Sequence, residues 1–454
     1  MKISIIGTGY VGLVTGVCLA SKGHEVICVD KNQEVIDKIN NMETPIYEPG
    51  LEKLMVKVIS TGNLVATTDL ESSVMNSEIS IIAVGTPIGN DKIDLSYIEK
   101  SAWEIGCILM DKEHYHVVCV KSTVIPTTTD TLVKNVLESA SGKKAGDFGL
   151  TMNPEFLREG KAVEDFMYPD RIVIGSYDNR SFETMKHVYE GFFDSPIINV
   201  NLRTAEMIKY TANALLATLI SFANEIGSIC EKTKDIDIKE VMESVTLDKR
   251  FNPKINNQLV NPEMINYLKA GCGFGGSCFP KDVKALISYS KCSGYQPQLI
   301  DATIRINMEQ PLKIINRLEE NLQTLEGKKI AILGLAFKPD TDDIRESPSI
   351  AIINGLLKKG ALVYGVDPIA IQNMQKIIPE DRKSVWYSTN YKEALKDADA
   401  AILVTSWTEF IDIPTEDFSQ LMKTPVVLDG RRVLNKSGLE GAGVEYFGVG
   451  YLIS

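Results

Sequence analysis

The stretch that decides the fold is Lys2–Asp30, KISIIGTGYVGLVTGVCLASKGHEVICVD. KISII forms a short apolar strand. Gly7-Thr8-Gly9-Tyr10-Val11-Gly12 follows at once, a helical pattern runs through Ala20, and a second strand, Glu25 to Val29, ends at Asp30. Strand, GxGxxG, helix, strand and acid make the dinucleotide-binding pattern. Gly7 permits the tight turn. Gly9 lets a pyrophosphate sit against backbone N–H groups at the helix N-terminus, and Gly12 lets helix and strand pack closely. Asp30 stands where a carboxylate accepts both ribose hydroxyls and repels a 2′-phosphate, which favours NAD over NADP, although Lys31 beside it pulls the other way. Lys2, the apolar run and Ala20-Ser21 also imitate a secretory leader, but the glycine spacing argues for the nucleotide reading.

Working outward, Ile79 to Val84 runs into Gly85-Thr86-Pro87, and His116 to Val120 runs into Lys121-Ser122-Thr123. Ligands of doubly wound sheets bind beyond the carboxyl ends of the strands. Thr86 and Thr123 are therefore candidate cofactor contacts, although threonine suits strand ends in any case. The C-terminal half repeats this plan. Lys328 to Gly334 matches the first strand, Val363 to Asp367 ends in an acid as Val26 to Asp30 does, and Asp397 to Thr405 resembles Asn76 to Thr86. In place of GxGxxG it carries Gly334-Leu335-Ala336-Phe337-Lys338-Pro339-Asp340, followed by Arg345 a few residues on. The expected fold class is α/β, two Rossmann-like doubly wound domains joined by a central helical region with one long helix. The expected divisions are 1–200, 201–310 and 311–454.

The chain has 454 residues, enough for several domains, and a formal net charge of −12. That balance disfavours nucleic acid and anionic membranes as partners. The longest strongly apolar run, Ala214 to Ala223, is too short to span a bilayer. Eight cysteines without a CxxC pair suit a reducing, cytoplasmic setting. Cys18, Cys28 and Cys119 sit in apolar segments and read as small hydrophobes. The four histidines offer only the short His114-Tyr-His116 spacing, so no metal site is expected.

Three further stretches carry chemistry. Lys269 to Asp282, KAGCGFGGSCFPKD, puts Cys278 after two glycine pairs and just before Lys281 and Asp282. A thiol is a nucleophile as thiolate, which needs access and nearby positive charge; the bland alternative is a glycine-rich turn around an inert cysteine. Thr151 to Gly160, TMNPEFLREG, reads as a loop entering a helix, with Asn153 as N-cap and Pro154 first in the helix. That would put Glu155 and Glu159 on one face. Asn201 to Glu231 reads as one long helix of apolar period, interrupted by Lys209 and Asn213 four apart on one face. Lysine beside an apolar stripe usually reaches water, whereas a half-buried amide needs partners. Residues 248–268 are rich in Asn and Pro and read as a long surface segment beginning near Arg250.

Taken together, GTGYVG at 7–12, EPGL at 48–51, VGTP at 84–87, KSTV at 121–124, NPEFLREG at 153–160, Lys209 with Asn213, the GFGGSCFPKD segment ending at Asp282, and FKPDTDDIRES at 337–347 resemble the UDP-glucose/GDP-mannose dehydrogenase family over nearly the whole chain. Within it the closest pattern is that of the UDP-glucose 6-dehydrogenases, because members acting on UDP-N-acetyl sugars tend to replace SCFPKD. The resemblance implies a four-electron oxidation of a primary alcohol to a carboxylate with two NAD. Cys278 adds to the intermediate aldehyde, and the resulting thioester is hydrolysed to UDP-glucuronate for polysaccharide precursor synthesis. It further implies that Lys209 and Asn213 stabilise oxyanions, that Asp282 assists proton transfer, and that Glu155 is the base for hydrolysis. It places NAD against Val11, Asp30, Thr86, Thr123, Glu159, Lys281 and Arg345. The sugar nucleotide is placed against Glu155, Phe156, Leu157, Arg158, Tyr267, Leu268, Lys269, Ala270, Gly271, Gly275 and Lys338. Arg250 resembles an arginine that reaches a partner subunit's site, and the central helices resemble the family's dimer interface, so a homodimer or larger homo-oligomer is expected.

Two departures stand out. Relatives run from the arginine matching Arg250 to the cysteine loop with about a dozen fewer residues, as a surface loop tolerates; the extra segment is roughly 252–265. Val35 stands where relatives often have a basic residue. Competing readings are the same chemistry on another sugar nucleotide such as UDP-N-acetylglucosamine or GDP-mannose, a two-electron hydroxyacid dehydrogenase, and a non-catalytic NAD-binding protein.

Overall fold

The computed structural model describes residues 1–89, 92–192, 195–381 and 383–451. The chain divides into two compact units, Met1–Ala212 and Asn213–Ser454.

The first unit is built on eight strands: β1 (Lys2–Ile6), β2 (Glu25–Val29), β3 (Leu64–Thr67), β4 (Ile79–Ile82), β5 (Val117–Val120), β6 (Gly149–Met152), β7 (Ile172–Ser176) and β8 (Ile197–Val200). Their spatial order is 3-2-1-4-5-6-7-8. Neighbours are parallel except for the antiparallel pair β6–β7. The first six reproduce a dinucleotide-binding order, with the switch point between β1 and β4. Strands β4 (ISII) and β5 (VVCV) are buried throughout, as strands covered on both faces must be. The buried serines of β1 and β4 are answered: Ser4 Oγ meets Ser80 Oγ at 2.7 Å, and Ser80 Oγ meets His116 Nε2 at 2.8 Å. Burial pushes the Cys18 and Cys28 thiols up to about 12 and that of Cys119 to about 11, so they act as core hydrophobes.

The second unit carries a six-stranded, wholly parallel sheet of β9 (Lys329–Leu333), β10 (Leu362–Val366), β11 (Val385–Ser388), β12 (Ala400–Leu403), β13 (Val426–Asp429) and β14 (Glu445–Gly448). Its order is 11-10-9-12-13-14. The internal repeat in the sequence is thus a repeat of sheet position, with β9, β10 and β12 standing where β1, β2 and β4 stand in the first sheet.

At the matching turn the sheets diverge. Gly7 (φ +95°) and Gly334 (φ +103°) both turn left-handed, and their N–H groups donate to Val29 O and Val366 O at 2.8 Å. Beyond Gly7, a Cβ at the exposed Gly9 would meet nothing within 4 Å. Beyond Gly334 the buried Leu335 and Ala336 fill that space. Asp367, the counterpart of Asp30, is fully buried. Its Oδ2 accepts from the Leu335 and Ala336 N–H groups and from Trp407 Nε1, and its Oδ1 from the Ile369 and Ala370 N–H groups, all at 2.8–3.1 Å. The second loop turns two of its N–H groups onto its own aspartate, where the first turns one, that of Thr8, onto Asp30.

Two long helices lie between the sheets in sequence, where one was expected: Leu202–Cys230 (29 residues) and Gln298–Leu322 (25 residues). The second carries Pro311 in its interior, where proline usually kinks or breaks a helix. The expected division at 310/311 falls within it. The first helix runs from the first unit into the second. By length and composition it is apolar enough to cross a membrane, but nearly half of its apolar stretch is buried in the protein. Its buried residues include Glu206, Lys209, Asn213, Ser221 and Asn224.

Asp367→Ala leaves four buried donors and one part-buried donor without their acceptor, each buried one worth about 1–3 kcal/mol before relaxation. Urea unfolding is expected to show a loss of more than ~3 kcal/mol, against ~1 kcal/mol for Asp30→Ala at the half-buried equivalent position.

Candidate active site

The glycine turn opens the helix Tyr10–Ser21. A Cβ at Gly12 would lie 1.9 Å from Gly7 O, so only glycine allows this approach. Asp30 Oδ2 accepts from the Thr8 N–H and from Thr8 Oγ1, both at 2.9 Å, and Oδ1 accepts from the Asn32 N–H at 3.0 Å. Thr86 Oγ1 donates to Thr123 O at 3.0 Å, joining the loops after β4 and β5. Gly7, Gly9, Asp30, Thr86 and Thr123, on loops after β1, β2, β4 and β5, and Val11 and Gly12, in the first turn of the helix, therefore lie together at the carboxyl end of the sheet. Glu48, quoted within EPGL without a role, holds a neighbouring loop here. It accepts from Tyr10 Oη and, at 2.7 Å each, from the Gly160 and Ala162 N–H groups. Burial, Glu48 and then Glu159 push the Tyr10 phenol far above its ordinary range.

Asn153 is not a helix N-cap. Its Nδ2 donates to Val173 O at 2.8 Å, and its Oδ1 accepts from Lys121 Nζ at 2.9 Å and from Tyr189 Oη at 2.5 Å. The next helix starts only at Ala162 (Ala162–Met167). The amide is spent across the sheet, and Pro154 disfavours a helical residue before it. Glu155 and Glu159 consequently share no helical face. Glu155 is buried, with Oε1 2.8 Å from Lys209 Nζ and Oε2 accepting the Leu157 N–H at 2.6 Å. Burial raises its proton affinity, but Lys209, the Leu157 N–H and Lys121 outweigh this and hold the carboxyl below its usual value. The Phe156 ring faces the Arg171 guanidinium at 3.9 Å, and Arg158 Nη2 pairs with Asp165 Oδ1 at 2.6 Å.

In the second unit Cys278 is the N-cap of the helix Phe279–Cys292, with proline in the first turn. It is partly exposed, and its Sγ lies 3.4 Å from Ser277 Oγ. A helix N-terminus favours a thiolate. Asp282, one turn on, is 1% exposed: Oδ2 accepts from Asn213 Nδ2 at 2.6 Å and Oδ1 from Lys281 Nζ at 2.5 Å. The glycine loop before Cys278 is held by side chains the sequence reading missed. Asn307 bonds Phe274 at both ends (Phe274 N–H to Oδ1 2.7 Å, Nδ2 to Phe274 O 3.0 Å), and Arg431 Nη1 donates to Gly273 O at 3.1 Å. Asn224 Oδ1 accepts the Gly271 N–H at 2.7 Å. A Cβ at Gly275 would lie 2.4 Å from Glu346 O, and the Gly276 N–H donates to Arg345 O at 2.8 Å. Phe337, Arg345 and Glu346 therefore pack on the glycines just before Cys278.

Tyr267 meets Phe279 with ring centroids 6.1 Å apart, Leu268 and Ala270 are buried, and Lys269 Nζ donates to Asn266 Oδ1 at 2.9 Å. Lys338 Nζ sits 5.6 Å from the Phe337 ring centre, and Arg345 pairs with Asp343 at 2.7 Å. Arg250 joins neither cluster; it is exposed and pairs with Asp248 at 2.6 Å. The extra segment forms a hairpin of Lys254–Ile255 and Gln258–Leu259. Asn256 and Asn257 take positive φ at its turn, and Asn252 bonds Asn261 across its base.

Comparison with known proteins follows this geometry. The NAD binding domain of the UDP-glucose/GDP-mannose dehydrogenase family matches residues 1–193, its central domain 203–309 and its UDP binding domain 331–436. The chain belongs to the UDP-glucose/GDP-mannose dehydrogenase family. UDP-glucose 6-dehydrogenase AglM of Haloferax volcanii is 40% identical, over 96% of this chain and 98% of that one. GDP-mannose 6-dehydrogenase of Pseudomonas syringae pv. syringae is 39% identical, over 96% of both. The solved UDP-glucose dehydrogenase of Pyrobaculum islandicum superposes with a TM-score of 0.88 at 38% identity, covering 99% of this chain and 97% of that one. Family membership makes this chain an NAD-dependent dehydrogenase, and the open space at Gly9 over a helix N-terminus fits the cofactor.

Asn307→Ala removes both holds on Phe274, each worth about 1 kcal/mol. Amide exchange across Gly273–Gly276 is expected to accelerate by roughly tenfold or more, with the glycine turn at 7–12 unchanged, as read by hydrogen-exchange mass spectrometry.

Proposed function

We propose that this protein oxidises UDP-glucose to UDP-glucuronate with two NAD, through a thioester on Cys278. The observation that carries this reading is a partly exposed thiol at a helix N-terminus, one turn before a buried carboxylate that is itself held by an amide and an ammonium. A two-electron dehydrogenase has no use for such a thiol.

NAD, held by the glycine turn, Val11, Asp30, Thr86, Thr123, Glu159, Lys281 and Arg345, supplies the hydride acceptor for both oxidations. Asp282 passes on the proton lost by the C6 hydroxyl through water. An aldehyde resists a second oxidation until something adds to it. Cys278 adds through sulfur to C6, and Lys209 and Asn213 stabilise the oxygen that becomes anionic. Once the thiohemiacetal has become a thioester, Glu155 takes a proton from water as the water oxygen bonds to C6 and the C–S bond breaks. Phe156, Leu157, Arg158, Tyr267–Gly271, Gly275 and Lys338 are proposed to hold the sugar nucleotide, and Arg250 to reach into a partner subunit's site.

We assign a homodimer on the long helix. Leu215, Phe222 and Ile229 recur every seven residues and are 54%, 48% and 60% exposed, a stripe that suits a second copy. The net charge of −12 supports neither nucleic acid nor an anionic membrane as partner, and eight cysteines without a CxxC pair suit a cytoplasmic location. A second reading, GDP-mannose as substrate, draws on the 39% identity to the Pseudomonas enzyme.

The test is NADH formed per sugar nucleotide consumed. The expected result is two NADH from UDP-glucose, little from GDP-mannose or UDP-N-acetylglucosamine, and a loss on the order of a thousandfold or more in Cys278→Ser. One NADH per substrate, or a Cys278→Ser variant that turns over normally, removes the thioester route. Preferred turnover of GDP-mannose moves the assignment to the second reading.

A further inference from the structure

Glu155 and Lys209 are not alone beneath the sheet edge. Lys121, which follows β5, is 3% exposed, a rare state for a lysine. Its Nζ donates to Asn153 Oδ1 at 2.9 Å and lies 5.7 Å from the centre of the Phe166 ring on the helix Ala162–Met167. Asn153 is pinned in turn by its bond to Val173 O on β7 and by Tyr189 Oη. The ionisable groups facing Lys121 are Cys119 on its own strand, Glu155 beyond β6, Tyr189 at the end of the helix Asn179–Val188, and Lys209 on the long helix. The Cys119 and Tyr189 protons are held tightly by burial. Lys121 itself and the other two, Glu155 and Lys209, make two ammoniums and one carboxylate.

We propose that Lys121 is a positioning residue for the reaction: its buried ammonium, anchored on Asn153, supplies the second positive charge that keeps Glu155 an anion and holds it against Lys209. Lys121 acts through Glu155 and does not touch the substrate. The proposal rests on the roles given above to Glu155 and Lys209. Burial pushes the Lys121 ammonium down to about 8, opposed by Cys119 and Glu155 and assisted by Lys209. It therefore loses its charge on the alkaline side of neutrality, and Glu155 then loses one of the charges that stabilise it.

Two measurements test this. The first is the pH profile of kcat for UDP-glucose. The wild type is expected to lose activity through a limb near pH 8. Arginine stays protonated, so Lys121→Arg should carry that limb well above pH 9. Lys121→Met should lower kcat at pH 7 on the order of tenfold, part of what a general base contributes, with KM for UDP-glucose unchanged. A limb near pH 8 that stays put in both variants, or a KM that rises while kcat holds, overturns the proposal. The second needs no turnover. A lysine whose proton affinity is lower folded than unfolded leaves the unfolded chain binding more protons between the two values. The stability of the wild type relative to Lys121→Met should therefore rise from pH 8 to 10.5 in urea unfolding, and a flat difference overturns the proposal. Absence of turnover in the wild type with a rising difference tells against the substrate assignment and leaves the buried lysine as described.

Discussion

A charge removed from water must be answered at close range, and the long helix Leu202–Cys230 is where this chain meets that requirement. Transfer of one ion to the interior costs several kcal/mol even after relaxation. Lys209 is almost wholly buried and is answered by Glu155 at 2.8 Å. Four residues on, about 6 Å along the same helical face, Asn213 reaches Asp282 at 2.6 Å. Apolar residues of similar volume would hold a helix in place as well or better. The polar pair suits the chemistry proposed above, and the fold carries its penalty. The apolar stripe of the same helix, at Leu215, Phe222 and Ile229, is left facing solvent.

The two sheets show how one topology gives different loops. Both use the order 3-2-1-4-5-6, both turn at a left-handed glycine, and both end the second strand in aspartate. In the first, Asp30 holds Thr8 and remains half-buried, and nothing crowds Gly9. In the second, Leu335 and Ala336 are buried and Asp367 accepts from five donors. From that filled turn the chain runs on to Phe337, Arg345 and Glu346, which pack on the cysteine loop.

What was legible in the sequence follows from how local each constraint is. The turn at 7–12 is set by sterics within six residues, so its glycines read directly. The repeated half read equally well, because strand ends and their acids recur in order. Asn153-Pro154 misled because a capping rule is local, whereas Asn153 is claimed by Val173, Lys121 and Tyr189 from other elements. The second long helix was not read from the sequence, and its interior Pro311 shows the same limit of a local rule, which gives way when the surrounding packing holds the turn. Asn307 and Arg431 left no mark at all. Their work is to hold a loop 33 and 158 positions away in sequence, and neither distance has a local signature.

The way Glu155 is stabilised bears on how the proposed reaction turns over. A carboxylate held below its usual value is a weak base, which at first sight is a poor choice for activating water. The surroundings supply the compensation. A proton taken up by Glu155 leaves the buried ammoniums of Lys209 and Lys121 without their counter-charge, a state the low dielectric penalises steeply. The proton is therefore passed on and not kept, and the carboxylate is restored as an anion before the next substrate arrives. A stronger base in the same place would accept the proton more readily and release it more slowly. Two ammoniums around one buried carboxylate thus trade some initial basicity for return to the starting state, a trade suited to a site that must shed protons at more than one stage of a single oxidation.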